Sequence, residues 1–376
     1  MKVLKELFKP SFDLPYYIPC MSPAVHEQLK RIEVRCRLSL LLNLTLVAVP
    51  CLLVNKDRSL TAKTSLWESK QLGYFNSYNY LGVEVIRENA GSFKDGLEIL
   101  KTSIENQELF IAAGTSYYLN YSSDYLDENY IRSKTYENPN IRLGNHWLSV
   151  YGYDKNHISV YDPKPWKFMG EISVSDFKLF WKGDRNIPQI NNELTNHLRI
   201  FGYAYIRRLD KSITTFNLDE LFFMLLKTIA VEFKEGNIIN DTYYFGKSYY
   251  AKTIEELQNF LNGDIDFESF NFFYYQCLHE LKFSKYFFRD LLLDYEDLLN
   301  SINLNIISDY IETIKLLENS LVVLYVRVSR DKINSSDAIN EFIKTFIKLE
   351  SMDSLIFEKI AATLSNIRVL PKKIIV

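Results

Sequence analysis

Apolar residues return at helical spacing between positions 23 and 44, with Leu29, Ile32, Cys36 and Leu40 along one side and Asn43 as the polar exception. That pattern predicts one central helix, with Ser22 as its N-cap and Pro23 at the first helical position. The run from Leu38 to Val54 is the most apolar stretch, yet it falls short of the ~20 residues that span a bilayer and is broken by Asn43, Thr45 and Pro50. It reads as a buried helix end turning into a core strand. Residues 83–86 suggest a short strand, 93–106 a helix, and 108–114 a buried strand ending at Gly114. Strict alternation then sets in: His146, Leu148 and Val150 point to one face while Trp147, Ser149 and Tyr151 point to the other. Asp154-Lys155-Asn156 supplies a turn and Ile158 to Asp162 a return strand, so the pattern is a β-hairpin. Ser173 or Ser175 caps a short helix through Trp181, and residues 197–208 close the sheet as a final strand. Residues 211–217 form the boundary. Beyond it the period is helical over residues 218–233, 253–261, 267–294, 295–317, 336–349 and 352–365. The chain is thus read as α+β, with an N-terminal domain over 1–210 and a mostly helical C-terminal domain over 211–376.

Composition narrows the setting. A chain of 376 residues with 47% hydrophobic and 24% charged positions has ample core for two domains. Its formal net charge of −3, without a long basic block, lacks the footprint of a nucleic-acid binder, and no segment reads as membrane-spanning. Cys20, Cys36, Cys51 and Cys277 are too sparse and unevenly spaced for a disulfide framework or a zinc site, which fits a reducing cytoplasm. The first eight residues carry an early glutamate and no apolar centre, so no signal peptide is read there and a cytoplasmic location is expected. No glycine-rich phosphate loop and no repeated histidine or carboxylate spacing appears, so neither nucleotide nor metal is implied as a cofactor.

The chemistry gathers at the open end of the hairpin. With a three-residue turn, Tyr153 faces His157 and, counting outward, Leu148 faces Asp162. His146 is then the diagonal neighbour of Asp162 on the same face, at roughly 7–8 Å between Cα atoms. A carboxylate fixes the tautomer and orientation of an imidazole, which prepares a general base; the same pairing also serves simply to satisfy a buried histidine. Upstream, Tyr17-Ile18-Pro19-Cys20-Met21-Ser22-Pro23 sets a cysteine just before a helix start. Unpaired N–H groups and the helix dipole there favour thiolate over thiol. The order Cys20, His146, Asp162, with the thiol at a helix start and its partners on a sheet, is the papain-type arrangement. Cys36 and Cys51 read as core residues. Among the other histidines, His26 lies six positions from the thiol, while His157, His197 and His279 lack suitable acidic spacing. The stretch before Cys20, Phe12 to Tyr17, holds no glutamine to donate to an oxyanion. The backbone N–H of Cys20 or Met21 is the first choice, with Tyr16 or Tyr17 as alternatives. Residues 122–145 form a long polar loop beside His146, either a lid or a plain surface excursion.

These segments carry a resemblance. Cys20 before a long first helix, Ala113-Gly114-Thr115-Ser116-Tyr117-Tyr118-Leu119-Asn120-Tyr121, His146-Trp147-Leu148-Ser149-Val150-Tyr151-Gly152-Tyr153 and Val160-Tyr161-Asp162-Pro163 resemble the butirosin-biosynthesis H-protein group. The resemblance covers roughly the first half of the chain, and the His-Trp-x-x-Val-Tyr-Gly-Tyr run is its most specific part. It departs from the group at Thr115 or its neighbour, often aspartate there, and at Asn120, often proline. It implies a papain-like cysteine-protease fold, an N-terminal helix packed on an antiparallel sheet, joined here to an α-helical C-terminal domain. The implied activity is acyl transfer in antibiotic or other secondary-metabolite biosynthesis: an acyl or peptidyl thioester on a carrier protein passes to Cys20 and then to an amine, forming an amide. On that reading Cys20, His146 and Asp162 are catalytic, and Tyr16, Tyr17, Tyr117, Tyr118, Asn145 and Trp147 are candidate substrate-binding residues. No bound cofactor is implied, because the phosphopantetheinyl group belongs to the carrier. The partners are an acyl or peptidyl carrier protein and a small amine, with homo-oligomer formation left open. Lys285 and Arg289 are candidate contacts for acidic carrier helices. Two alternatives stand beside this one: a papain-like cysteine peptidase or amidase, which admits water to the acyl-enzyme, and an inactive papain-fold binding protein.

Overall fold

In the computed structural model, which describes residues 2–4, 11–54, 60–63, 77–129, 146–183, 201–209, 217–262, 279–329 and 335–370, strands and helices alternate irregularly along the first half of the chain. They are β1 (Lys2–Val3), α1 (Met21–Arg31), α2 (Leu38–Asn43), β2 (Cys51–Val54), β3 (Leu60–Lys63), β4 (Val83–Asn89), α3 (Phe93–Glu105) and β5 (Phe110–Gly114). There follow β6 (His146–Tyr153), β7 (His157–Asp162), β8 (Phe168–Ser173), α4 (Val174–Lys182) and β9 (Gly202–Arg208). The second half holds α5 (Leu218–Glu235), β10 (Ile238–Ile239), β11 (Tyr243–Phe245), α6 (Lys247–Leu261), α7 (His279–Asp294), α8 (Glu296–Ser301), α9 (Ile307–Ser329) and α10 (Ser335–Thr363). The protein is therefore mixed α+β, with an antiparallel sheet and a helical C-terminal region.

Two units form, one from Met1–Leu38 with Leu81–Thr214 and the other from Ser39–Tyr80 with Thr215–Val376. This differs from the contiguous division into 1–210 and 211–376: the segment 39–80 groups with the C-terminal helices. The reason is strand pairing, because β2 pairs with β11 and with β3, making a small antiparallel sheet in the order β10-β11-β2-β3. Local sequence says nothing about a partner some 190 residues away.

The first unit is built on an antiparallel sheet ordered β4-β9-β5-β6-β7-β8, with β1 pairing to the far end of β6. Strand β9 lies between β4 and β5 instead of closing an edge, and β4 runs to Asn89, longer than its four-residue apolar signal. Residues 197–200 of that expected strand are outside the described residues. Helix α1 packs on β5, β6 and β9, α3 on β1, β5 and β6, and α4 on β5, β7 and β8. Phe110, Ala112, Leu148, Val150 and Tyr203 join Leu100, Phe177, Phe180 and Trp181 in one buried cluster. Each large side chain so buried contributes about 1.5–3 kcal/mol. Gly114 ends β5 because a Cβ there would lie 2.2 Å from the Phe180 carbonyl oxygen, and the next residue, Thr115, donates its N–H to that oxygen at 3.0 Å. Of the two candidate caps for α4, Ser173 accepts from Asp176 N–H at 3.0 Å, while Ser175 bonds Ser173.

The long helix expected over 23–44 is two helices. Helix α1 ends in a Schellman motif, with Glu33 at φ 62°, Val34 N–H on Leu29 O and Glu33 N–H on Lys30 O. No glycine or proline announces this stop, since a glutamate occupies the left-handed position. His26 Nε2 donates to Cys36 O at 2.8 Å and ties the outgoing chain back to the helix. The same motif with Asn303 at φ 56° and Leu304 N–H on Leu299 O splits the helix expected over 295–317 into α8 and α9. Conversely, the two helices expected at 336–349 and 352–365 are one, α10. The helix over 253–261 starts earlier, at Lys247, and residues 267–278 are outside the described residues.

In the second unit α10 packs against α5, α6 and α9, and α9 against α7. Its core is aromatic, with Phe233 on Phe357 at 4.3 Å between centroids and Phe288 on Tyr310 at 4.9 Å. At its centre Lys285 Nζ donates to Asp353 Oδ1 at 2.7 Å and to Thr313 Oγ1 at 3.1 Å, and Tyr250 O–H also donates to Asp353. No helix among the described residues is long and apolar enough to cross a membrane.

Candidate active site

The hairpin register is reached by two cancelling features. The turn is Lys155-Asn156, two residues, so Tyr153 pairs with Ile158 and not with His157. A β-bulge at Tyr151 then shifts the ladder, and Val150 faces Val160 and Ser149 faces Tyr161. One step further along β6 and β7, Leu148 stands opposite Asp162 and His146 lies diagonal to it, as the alternation predicted.

The diagonal is bridged. His146 Nε2 lies 2.8 Å from Asp162 Oδ2, and since a carboxylate only accepts, Nε2 carries the hydrogen. Both side chains are buried, Asp162 completely and His146 to 5% exposure. Burial disfavours the imidazolium, but the charge and hydrogen bond of Asp162 outweigh it and, with Cys20 adding in the same direction, hold His146 well above the ordinary histidine range. Tyr121 O–H donates to the same Asp162 Oδ2 at 2.9 Å, while Oδ1 is buried with no hydrogen-bond partner among the described residues. Trp166 stands edge-on to the imidazole at 5.0 Å between centroids and donates its Nε1–H to Ser123 Oγ at 3.2 Å.

Cys20 reaches the imidazole from the start of α1 and helps to keep the proton on His146. Here the cap differs from expectation: the helix begins at Met21, Cys20 itself is the N-cap residue, and Ser22 and Pro23 already lie inside the first turn. Met21 N–H, as the first helical donor, has no intrahelical acceptor. The segment before Cys20 is anchored to the strand that carries Asp162 and to the connection after it: Tyr161 O–H donates to Ser11 O at 3.0 Å and the buried Lys164 Nζ to Leu14 O at 3.1 Å. The segment before Cys20 is thus held by β7, which carries Asp162, and by the connection that follows it. Beside them Arg87 contacts Met21 Sδ at 3.3 Å and lies over the Trp147 ring at 5.5 Å.

The remaining predicted residues are distributed unevenly. Tyr16 is 64% exposed and stands edge-on to Tyr17 at 5.6 Å. Tyr117 is buried and donates to Glu128 Oε1 at 3.1 Å, with Tyr118 edge-on at 4.9 Å. Thr115 caps the 3₁₀ turn Ser116–Tyr118. Asn145 lies outside the described residues, as does most of the loop over 122–145. His26 is committed to Cys36 O, and His157 sits 3.5 Å from Asp154 on β7. Lys285 is not a docking residue: it is 2% exposed and occupied by Asp353. Arg289 is part-exposed, but bonds Asp290 and lies over Tyr286. Tyr121, Trp166 and Lys164 were not singled out by sequence reasoning. The cue for Tyr121 was there, a tyrosine seven residues past the strand-ending Gly114 in an aromatic run, but nothing local pairs it with a residue 41 positions on. Among the described residues no cluster of three or more His, Cys, Asp or Glu is placed to hold a metal ion. A scan against protein-family models and a search of curated proteins return no match to this chain.

Proposed function

We propose that the protein is a cysteine-dependent acyltransferase with a papain-like arrangement, which accepts an acyl or peptidyl group from a carrier-protein thioester on Cys20 and passes it to an amine. The observation that carries this reading is the buried His146–Asp162 pair with Cys20 at a helix start beside it. A nucleophile, a base and an orienting carboxylate are the three roles that acyl transfer through a covalent intermediate requires. Cys20 sulfur attacks the thioester carbonyl carbon, the carbon–sulfur bond to the carrier breaks, and the departing thiolate takes a proton from His146. The amine nitrogen then attacks the acyl-enzyme, its proton goes to His146, and the Cys20–carbon bond breaks to release the amide. The Met21 N–H stabilises the oxyanion in both steps. Trp166 and the burial of His146 limit access of water to the base, which favours aminolysis over hydrolysis. The resemblance to the butirosin H-protein group directs the reading to transfer.

The test is intact-protein mass after mixing wild type and Cys20→Ala with a panel of acyl thioesters, with and without a diamine. An adduct on wild type alone, discharged as amide by the diamine, is the expected result. Discharge by water at the same rate with or without amine would replace the transferase by a hydrolase. No adduct, together with Cys20 alkylation no faster than a free thiol, would remove the catalytic reading.

A further inference from the structure

We propose that Tyr121 is a positioning residue of this site: its hydroxyl holds the Asp162 oxygen that orients His146 and weakens the carboxylate's grip on the imidazole proton. The proposal rests on the acyltransferase reading and adds a fourth member to its chemistry.

The geometry is specific. Asp162 Oδ2 receives two donors, Tyr121 O–H at 2.9 Å and His146 Nε2–H at 2.8 Å, while Oδ1 receives none among the described residues. The negative charge is therefore shared between the two donors on one oxygen. Aromatic neighbours hold the Tyr121 ring in place: it stacks on Phe168 at 3.8 Å and 9°, and stands edge-on to Trp166 at 6.2 Å. Trp166 in turn packs edge-on to His146. Burial, together with the charge of Asp162, keeps the phenol protonated far above its ordinary range, so it donates throughout the working pH.

The need for such a donor follows from the chemistry. In the first half of the reaction His146 must give its proton to the departing carrier thiolate, and in the second half it takes one back from the amine. A buried carboxylate acting on the imidazole alone would hold that proton too firmly. A phenol on the same oxygen draws off part of the charge, as hydrogen bonds to ionised acceptors do. The other titratable groups nearby are Cys20 at the start of α1, which acts on His146, and Tyr161 on β7, which feels both Glu27 and Asp162. None of them is altered in the test.

Tyr121→Phe removes the hydroxyl and keeps the ring on Phe168. Ser122→Ala loosens the same turn, by removing the acceptor for Asp124 N–H, without touching Asp162. For wild type and both variants, the rate of Cys20 alkylation by iodoacetamide is measured against pH, with thermal midpoints to confirm folding. The alkaline inflection, which reports loss of the imidazolium proton, is expected to rise by on the order of one pH unit in Tyr121→Phe and to stay in place in Ser122→Ala. Acylation of Cys20 by the thioester, in which His146 gives up its proton, should slow about tenfold in Tyr121→Phe, with amine-dependent discharge of the acyl-enzyme changed less than about twofold. An inflection in folded Tyr121→Phe at the wild-type pH overturns the proposal while leaving the acyltransferase reading intact. If wild type itself shows no inflection, and its thiol reacts no faster than a free one, the active-site reading falls and this proposal with it.

Discussion

Replacing Asp162 by asparagine removes one charge and almost no volume, so its effect isolates the electrostatics of the buried pair. In the wild type, burial opposes a charged His146, yet Asp162 and Cys20 together push it up to about 10, against 6.5 for free histidine. Between those two values the folded protein holds a proton that the unfolded chain has released. The stabilisation is accordingly fully present below about pH 6.5 and is lost as pH rises through about 10. At about 1.4 kcal/mol per pH unit this amounts to about 3–5 kcal/mol near pH 6. In Asp162→Asn burial acts unopposed by the carboxylate, so the variant instead loses stability as pH falls through the histidine range. The two curves diverge on the acid side. Urea unfolding followed by the fluorescence of Trp147, Trp166 and Trp181, all in the first unit, measures both proteins at about pH 6, 8 and 10. The stability gap should be about 3–5 kcal/mol at the lowest pH and fall to about 1 kcal/mol at the highest. A gap that stays constant or widens with pH would refute the reasoning, because it would mean that His146 is not held protonated by Asp162.

Other expectations follow from separate parts of the molecule. Cys20→Ala should abolish acyl-enzyme formation, whereas Cys36→Ala and Cys51→Ala should alter stability alone; burial pushes the Cys36 thiol up to about 11, so peptide mapping after brief alkylation at neutral pH should find the label on Cys20 and not on Cys36. Lys285→Met leaves Asp353 buried without its cation and should cost about 3–5 kcal/mol, lowering the thermal midpoint, while the double change with Asp353→Leu should recover most of the loss. Glu33→Gly relieves a side chain from φ 62° at an exposed position and should stabilise by about 1 kcal/mol in urea titration; a loss of stability would show that the glutamate contributes more than its strain costs.

Much of the site was legible along the chain because its geometry is local to one hairpin. Alternation put His146 and Leu148 on one face, and counting outward from the turn put Asp162 opposite Leu148. The count survived an error in the turn because the bulge at Tyr151 restored the register. The start of the helix after β8 was legible at Ser173, since its capping bond spans only three residues, whereas the cap expected at Ser22 lies inside α1, which starts at Met21. Three other features were decided by contacts that leave no local trace. Helix α1 stops at Arg31, where Glu33 turns left-handed and Cys36 O folds back onto His26, at a place where neither glycine nor proline stands. Residues 39–80 belong to the second unit because β2 finds β11. Lys285, which reads as a surface cation in an amphipathic helix, is buried because Asp353, 68 residues on, supplies the charge that makes burial tolerable. Tyr121 belongs with these: a tyrosine among tyrosines becomes part of the site only when folding brings its hydroxyl to Asp162. Periodicity and capping are written in neighbouring residues because sterics and single-turn hydrogen bonds act over a few positions. Which distant side chain satisfies a buried charge depends on how the elements pack, and that the tertiary structure alone decides.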